Sequence, residues 1–229
     1  MARYRDRTEA GRALAAALKQ YEGRDDLLVL ALPRGGVPVA YEVAKALGAQ
    51  LDVVVVRKLG VPWQPELAMG AVASGDVLII NRELVSALGI PESDIHDGAG
   101  REREVVHRRE EMYRDAWPAA DIHSRIVILV DDGLATGSTM RAAIAAVHQH
   151  EPARLIAAFP TAPPAACRDL ADEVDEVVCP YRPESFFAIS ESYDSFPQVS
   201  DEEVQRLLTQ AREAFARRQE DRRRGHEVG

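Results

Sequence analysis

Cysteine is almost missing from this chain: Cys167 and Cys179 are the only two in 229 residues, and neither sits in a CxxC pair or near a histidine at ligand spacing. A disulfide framework and a structural zinc site are thereby disfavoured, and two free, partly buried thiols are expected. The six histidines are scattered, and His148 and His150, two apart, fall on different faces of a helix, so none is assigned to a metal. Long apolar runs are absent as well. The longest, Leu27 to Leu32, Val53 to Val56 and Ile126 to Val130, span four to six residues, far short of a membrane crossing. MARYRDRTEAG lacks the apolar segment of a signal peptide, so a cytoplasmic protein with no membrane partner is expected. Positive charge is not in excess either: Asp and Glu outnumber Lys and Arg by 37 to 28, which argues against nucleic acid as the main partner. Only Lys19, Lys45 and Lys58 are lysines, and the sequence contains neither a GxxxxGK[ST] loop nor a dinucleotide GxGxxG.

What is present is concentrated in Arg125 to Met140, RIVILVDDGLATGSTM. Five apolar, mostly β-branched residues predict a strand covered on both faces. Two adjacent carboxylates follow, Asp131 and Asp132, then a Gly/Thr/Ser turn that runs into a helical pattern. Gly133 and Gly137 allow a tight curl, so that successive N–H groups converge at the positive end of the helix, where a phosphate fits. Thr136, Ser138 and Thr139 can cap that helix and donate hydroxyls to phosphate oxygens. The carboxylates cannot meet the same anion unaided, so they should face sugar hydroxyls or a hard cation such as Mg²⁺. The plain alternative is a turn whose two aspartates only cap the helix.

The rest of the chain alternates strand and helix. The pattern predicts a helix over Asp6 to Tyr21, with Asp6 and Glu9 at capping-box spacing, a strand over Leu27 to Leu32, a helix over Val37 to Leu47 closed by Gly48, and a strand over Leu51 to Val56. Strand, helix and strand within some thirty residues form a βαβ unit, hence parallel pairing with a right-handed crossover. Gly60 to Glu66 reads as irregular and Leu67 to Ile80 as short extended pieces. Gly98 to Arg114 reads as an exposed helix with a narrow apolar stripe that packs on its own domain or, less simply, on a second copy. Strands at Arg154 to Phe159 and Glu176 to Cys179 bracket a helix at Pro164 to Ala171. After an irregular aromatic stretch, Ser200 and Glu203 open a last helix to about residue 217, with a charged tail over 218–229. The expected fold is α/β: a doubly wound, mostly parallel central sheet flanked by helices, in a single domain spanning 1–229.

In such folds ligands bind beyond the carboxyl ends of the strands. Two further strand ends carry unusual residues. Arg34, Gly35 and Gly36 follow the first strand, where the glycines expose N–H groups and Arg34 can fork onto phosphate oxygens; an ordinary turn is the competing reading. Arg57 and Lys58 follow the second, as a solvated edge or a second clamp on a polyanion.

VDDGLATGST resembles the phosphoribosyl-pyrophosphate (PRPP) binding motif of the type I phosphoribosyltransferases. The resemblance implies that Asp131 and Asp132 lie by the ribose hydroxyls and that Ala135, Thr136, Gly137, Ser138 and Thr139 hold the 5-phosphate. It implies that Arg34, Gly35 and Gly36, with Arg57 and Lys58, take the pyrophosphate, the first of these loops presenting the N–H of a strained peptide. It implies Mg²⁺ as cofactor, held by Asp131 and Asp132 indirectly or through ribose and pyrophosphate. Leu59 to Val72, LGVPWQPELAMGAV, corresponds to the mobile loop of the family, about 59–75, which closes over substrate to exclude water. It is similar to a KLG-P--PELA-GAV pattern in one little-characterised branch, although Trp63 and Gln64 stand where Gly-Asn is common. Glu66 is the acid/base candidate in that loop, against a plain exposed carboxylate. A hood over about 180–199 would face the acceptor, with Phe186, Phe187, Tyr193, Phe196 and, from the loop, Trp63 available for stacking or simply forming the hood's own core.

The implied reaction passes the 5-phosphoribosyl group to a nitrogenous base or amine with release of pyrophosphate, with Asp131, Asp132, Lys58 and Glu66 as catalytic candidates and a homo-oligomer, a dimer, as the expected assembly. Family members that salvage 6-oxopurines usually carry an acidic residue just before the TG pair; here it is Ala135, which disfavours that acceptor class. Two other classes compete. One is a non-catalytic regulator that binds PRPP or a nucleotide. The other is a phosphate-ester hydrolase with both aspartates on a metal, disfavoured by the lack of an Asp-x-Asp pair or a His cluster.

Overall fold

A computed structural model describes residues 3–115 and 117–227. Eight strands and seven helices are assigned among them. Five strands make a wholly parallel sheet in the order β2-β1-β6-β7-β8, formed by β1 (Leu27–Ala31), β2 (Gln50–Val53), β6 (Ile126–Val130), β7 (Arg154–Ala158) and β8 (Glu176–Val178). All five residues of β1 and of β6 are buried, because helices cover both faces and alternate residues face opposite cores. Leu27, Val29 and Ala31 join Ile126, Ile128 and Val130 in one core, while Leu28 and Leu30 join Val127 and Leu129 in the other.

The first core is closed by α1 (Arg7–Ala17), α2 (Gly36–Leu47), α4 (Glu92–Arg114) and α7 (Asp201–Glu227). The second is closed by α5 (Ser138–His148) and α6 (Pro164–Leu170), through Met140, Ile144, Val147, Cys167 and Leu170. Both cysteines are free and buried. From β1 the chain winds outward to β2, whereas from β6 it winds the other way to β7 and β8. The order therefore reverses between β1 and β6, and the loops leaving those neighbours open side by side at the carboxyl edge, where α/β sheets bind ligands.

Three expectations change. The run Val53 to Val56 is not one strand: β2 ends at Val53 and β3 (Val56–Val61) starts a separate antiparallel sheet with β4 (Gln64–Ala73) and β5 (Val77–Ile80). Ser74 makes the break, its Oγ accepting from Val55 N at 2.8 Å while its own N–H donates to Val55 O at 2.9 Å. The stretch read as irregular over Gly60 to Glu66 is consequently a hairpin, with Pro62 and Trp63 at its turn. A short α3 (Arg82–Leu88), capped by the Asn81 side chain, precedes α4, which starts six residues earlier than expected. Finally, α7 runs ten residues past 217, and 218–224 are mostly Arg, Gln and Glu, good helix formers; residues 228 and 229 lie outside the described residues. Among the described residues, no helix is long and apolar enough to cross a membrane.

Candidate active site

The loop after β6 begins with Asp131 and Asp132. The N–H of Asp132 donates to Oδ1 of Asp131 at 2.8 Å, folding the first side chain back along the loop. Burial pushes the Asp131 carboxyl well above the usual carboxylate range, and the neighbouring Asp132 charge adds to it. Asp132 is also raised by burial, but Arg7 opposes the rise: its Nε donates to Oδ2 at 2.8 Å. Two adjacent carboxylates, Asp132 buried and Asp131 partly buried, thus stand beside a single arginine that bonds only Asp132, an arrangement that attracts hydroxyl donors or a cation.

The loop after β1 packs directly on this pair. Gly35 takes a helical backbone, φ −59° and ψ −34°, as the N-cap of α2. A Cβ at Gly35 would lie 2.8 Å from Cγ of Asp132 and nearer still to Oδ2. A Cβ at Gly36 would lie 2.7 Å from Val130 O and 3.2 Å from Oδ1 of Asp131. Only glycine lets the start of α2 sit this close to the two aspartates. The Pro33–Arg34 peptide is cis. Arg34 is partly exposed, its Nη1 3.9 Å from Oδ2 of Asp201, whose Oδ1 accepts from the Tyr113 hydroxyl at 2.5 Å.

The third component is the turn at Ala135 to Thr139, in which Ala135, Thr136, Ser138 and Thr139 are exposed. Gly137 has φ +74° and stands at the N-cap of α5. The expected hydroxyl cap is not formed: no side chain caps α5, and Thr136 and Ser138 hydroxyls face each other at 3.5 Å. The left-handed glycine turns the chain instead, leaving first-turn N–H groups and three hydroxyls at an open helix N-terminus.

Arg57 and Lys58 stand not at the end of a parallel strand but on β3, opposite Val72 and Ala71 of β4. Arg57 pairs with Glu102 of α4 at 2.8 Å; Lys58 is exposed and, among the described residues, makes no ion pair. Both line a cleft of about 540 Å³ between the hairpin and α4, together with Glu66 and with Thr139 of the α5 turn. A second opening of about 440 Å³ is walled by Arg7, Arg34, Gly35 and Asp132 and by hood residues Phe196 to Val199. Trp63, 60% exposed at the hairpin turn, lines neither cleft, and the same holds for half-buried Phe186 and for Phe187, which is 86% exposed.

Tyr193 is buried against Tyr4 and Phe196 at centroid distances of 5.8 and 4.8 Å, and its hydroxyl donates to the main-chain oxygen of Asp132 at 2.5 Å. It is a support of the aspartate loop rather than a surface for stacking. The hood is also larger than residues 180–199. The N-terminal strand-like segment joins it: Arg3 and Tyr4 N–H groups donate to Ser192 O, and Asp194 and Ser195 N–H groups donate back to Tyr4 and Arg5. Arg7 enters the site at the start of α1, just after this segment, and no motif announced it.

A family model for the phosphoribosyl transferase domain matches residues 3–195. The chain belongs to the phosphoribosyltransferase family. A Mycobacterium tuberculosis protein with a provisional phosphoribosyl transferase name is 42% identical over 211 residues, covering 92% of this chain and 47% of its own length; the same match recurs in a second strain. The chain thus spans about half the length of these curated relatives. A crystal structure of a Thermus thermophilus protein is 44% identical, superposes with a TM-score of 0.80, and the match covers 90% of this chain and 97% of that one. The phosphoribosyltransferase fold, with its parallel sheet flanked by helices, is the architecture described above.

Proposed function

We propose that the protein transfers the 5-phosphoribosyl group of PRPP to a nitrogenous base or amine, releasing pyrophosphate, with Mg²⁺ as cofactor and inside the cytoplasm. One juxtaposition carries this reading: Gly35 and Gly36 press against the carboxylates of Asp131 and Asp132 at the sheet's switch point, beside the open N-terminus of α5. A ribose 5-phosphate has complementary parts, hydroxyls for the aspartates and a phosphate for the α5 turn. The diphosphate then falls to the Gly35–Gly36 loop, Arg34 and Lys58.

In the reaction the C1–O bond to pyrophosphate breaks and a C1–N bond forms, while the nucleophile's proton leaves to a base or to water. Positive charge builds on the sugar ring, and Asp131 and Asp132 in their carboxylate form would stabilise it. Glu66, which lines the same cleft as Lys58, would take the proton.

Mg²⁺ fits the donor set as a shared ion. Among the described residues no group of three or more His, Cys, Asp or Glu forms a cage, yet two hard carboxylates, one buried and one partly buried, stand together. Asp131 and Asp132 would hold it with oxygens from the substrate, and it would neutralise charge on the departing pyrophosphate.

The test is a panel of bases and amines incubated with PRPP and Mg²⁺, with pyrophosphate release as readout. Release with one or more acceptors, absent in Asp131→Asn/Asp132→Asn, supports the reading. Tight PRPP binding without release from any acceptor replaces it with a non-catalytic sensor.

A further inference from the structure

Arg7 is the first residue of α1, and its side chain is only 10% exposed. Its guanidinium makes three contacts at once. Nε donates to Oδ2 of Asp132 at 2.8 Å, Nη1 donates to the main-chain oxygen of Pro197 at 2.7 Å, and the group lies 3.7 Å from the centre of the Phe196 ring. The Asp132 side chain is as enclosed as Arg7, at 11% exposure. Asp132 is therefore held at both ends by the hood: at its carboxylate by Arg7, and at its main-chain oxygen by Tyr193. The Gly35 backbone packs so close to Oδ2 of Asp132 that an added Cβ would overlap it. A lysine could supply the charge, but not the planar fork that spans Asp132 and Pro197.

From this geometry, and resting on the function proposed above, we propose that Arg7 is a positioning residue that aims Asp132 at the ribose and couples it to the Phe196–Pro197 wall of the acceptor opening. Arg7 touches no reacting atom in this assignment. Its contacts make the hood and the sugar carboxylate a single unit, so that whatever fills the opening beside Phe196 and Val199 is felt at Asp132.

The assignment separates two ligands. PRPP carries a ribose and depends on the aim of Asp132, whereas inorganic pyrophosphate should bind through Arg34, Gly35, Gly36 and Lys58. Calorimetry with Mg²⁺ should show Arg7→Gln weakening PRPP by about 10- to 100-fold, the range for residues that orient a first-contact group, with pyrophosphate affinity unchanged within error. Arg7→Lys should recover part of the PRPP loss. Arg12→Gln, on the same helix in an exposed pair with Glu42, should change neither affinity. Equal losses for both ligands, or no loss for PRPP, overturn the proposal. Should Arg7→Gln not fold, Arg7→Lys decides by the same ratio. If the wild type binds no PRPP, the functional reading falls, and a crystal structure of Arg7→Gln then decides the positioning role alone: an Asp132 carboxylate still in place overturns it, and a rotated one supports it.

Discussion

Replacing Gly35 by alanine isolates the approach of the β1 loop to Asp132. The backbone at Gly35 is helical, so alanine meets no conformational penalty there. All of the effect must come from the new methyl, which would stand 2.8 Å from Cγ of Asp132. Carbon–carbon contacts settle at about 3.5–4.0 Å, so the carboxyl group or the loop has to give way by roughly 1 Å. The side chain cannot swing aside freely, because Arg7 holds its Oδ2 at 2.8 Å and Tyr193 holds its main-chain oxygen. Misplacement of a site group by about 1 Å costs about 100-fold, equivalent to about 2.8 kcal/mol at about 1.4 kcal/mol per decade. Calorimetric titration with PRPP and Mg²⁺ should therefore show a Gly35→Ala affinity about 100-fold below wild type. Gly100→Ala is the matched control: it lies within α4 with nothing within 4 Å of the added atom, so binding stays unchanged and the helix gains stability. Wild-type affinity in Gly35→Ala would refute the claim that the two loops form one site.

Asp52→Ala tests a framework contact away from the site. Asp52 is 3% exposed and accepts from Arg114 Nε at 3.1 Å and from Ala120 N at 2.8 Å, with Arg212 at 3.7 Å. Its loss takes the nearest carboxylate from enclosed Arg212 and leaves Arg114 with Glu110 and the Val53 oxygen, and urea unfolding should show a cost of about 3 kcal/mol; a change below about 1 kcal/mol would mean that solvent reaches the cluster. Asp131→Asn should act in the opposite direction. Folding raises the Asp131 carboxyl, so the ligand-free protein is most stable while that group is protonated and loses stability as pH rises through its folded value. Scanning calorimetry should find the Asn variant more stable than wild type at neutral pH, with a flatter pH dependence and without PRPP binding. A wild type that gains stability over the same rise in pH contradicts the burial argument.

The parts of the site that were legible in the sequence are those encoded by contiguous residues. Ile126 to Val130, the aspartate pair and the Gly137 turn specify strand, loop and helix within sixteen positions, and the Arg34–Gly36 loop could be placed by the same strand-end rule. The doubly wound sheet followed from alternation. The break after Val53 was not legible, since Val53 to Val56 are four identical residues and the interruption is imposed by Ser74, 19 positions beyond Val55. With it went the hairpin and the setting of Arg57 and Lys58. Arg7 was invisible for a related reason: its partner is 125 residues away, and a helix-opening arginine next to a capping aspartate reads locally as surface. Tyr193 likewise declares its role only through a hydrogen bond to Asp132, 61 residues away.

The central claim is that Asp131 and Asp132 form the sugar end of a PRPP site. Its most direct measurement is calorimetric binding of PRPP with Mg²⁺ to the wild type and to Asp131→Asn/Asp132→Asn. Mg²⁺-dependent binding that disappears in the double variant is the predicted result. Equal affinity in the two proteins would contradict the account.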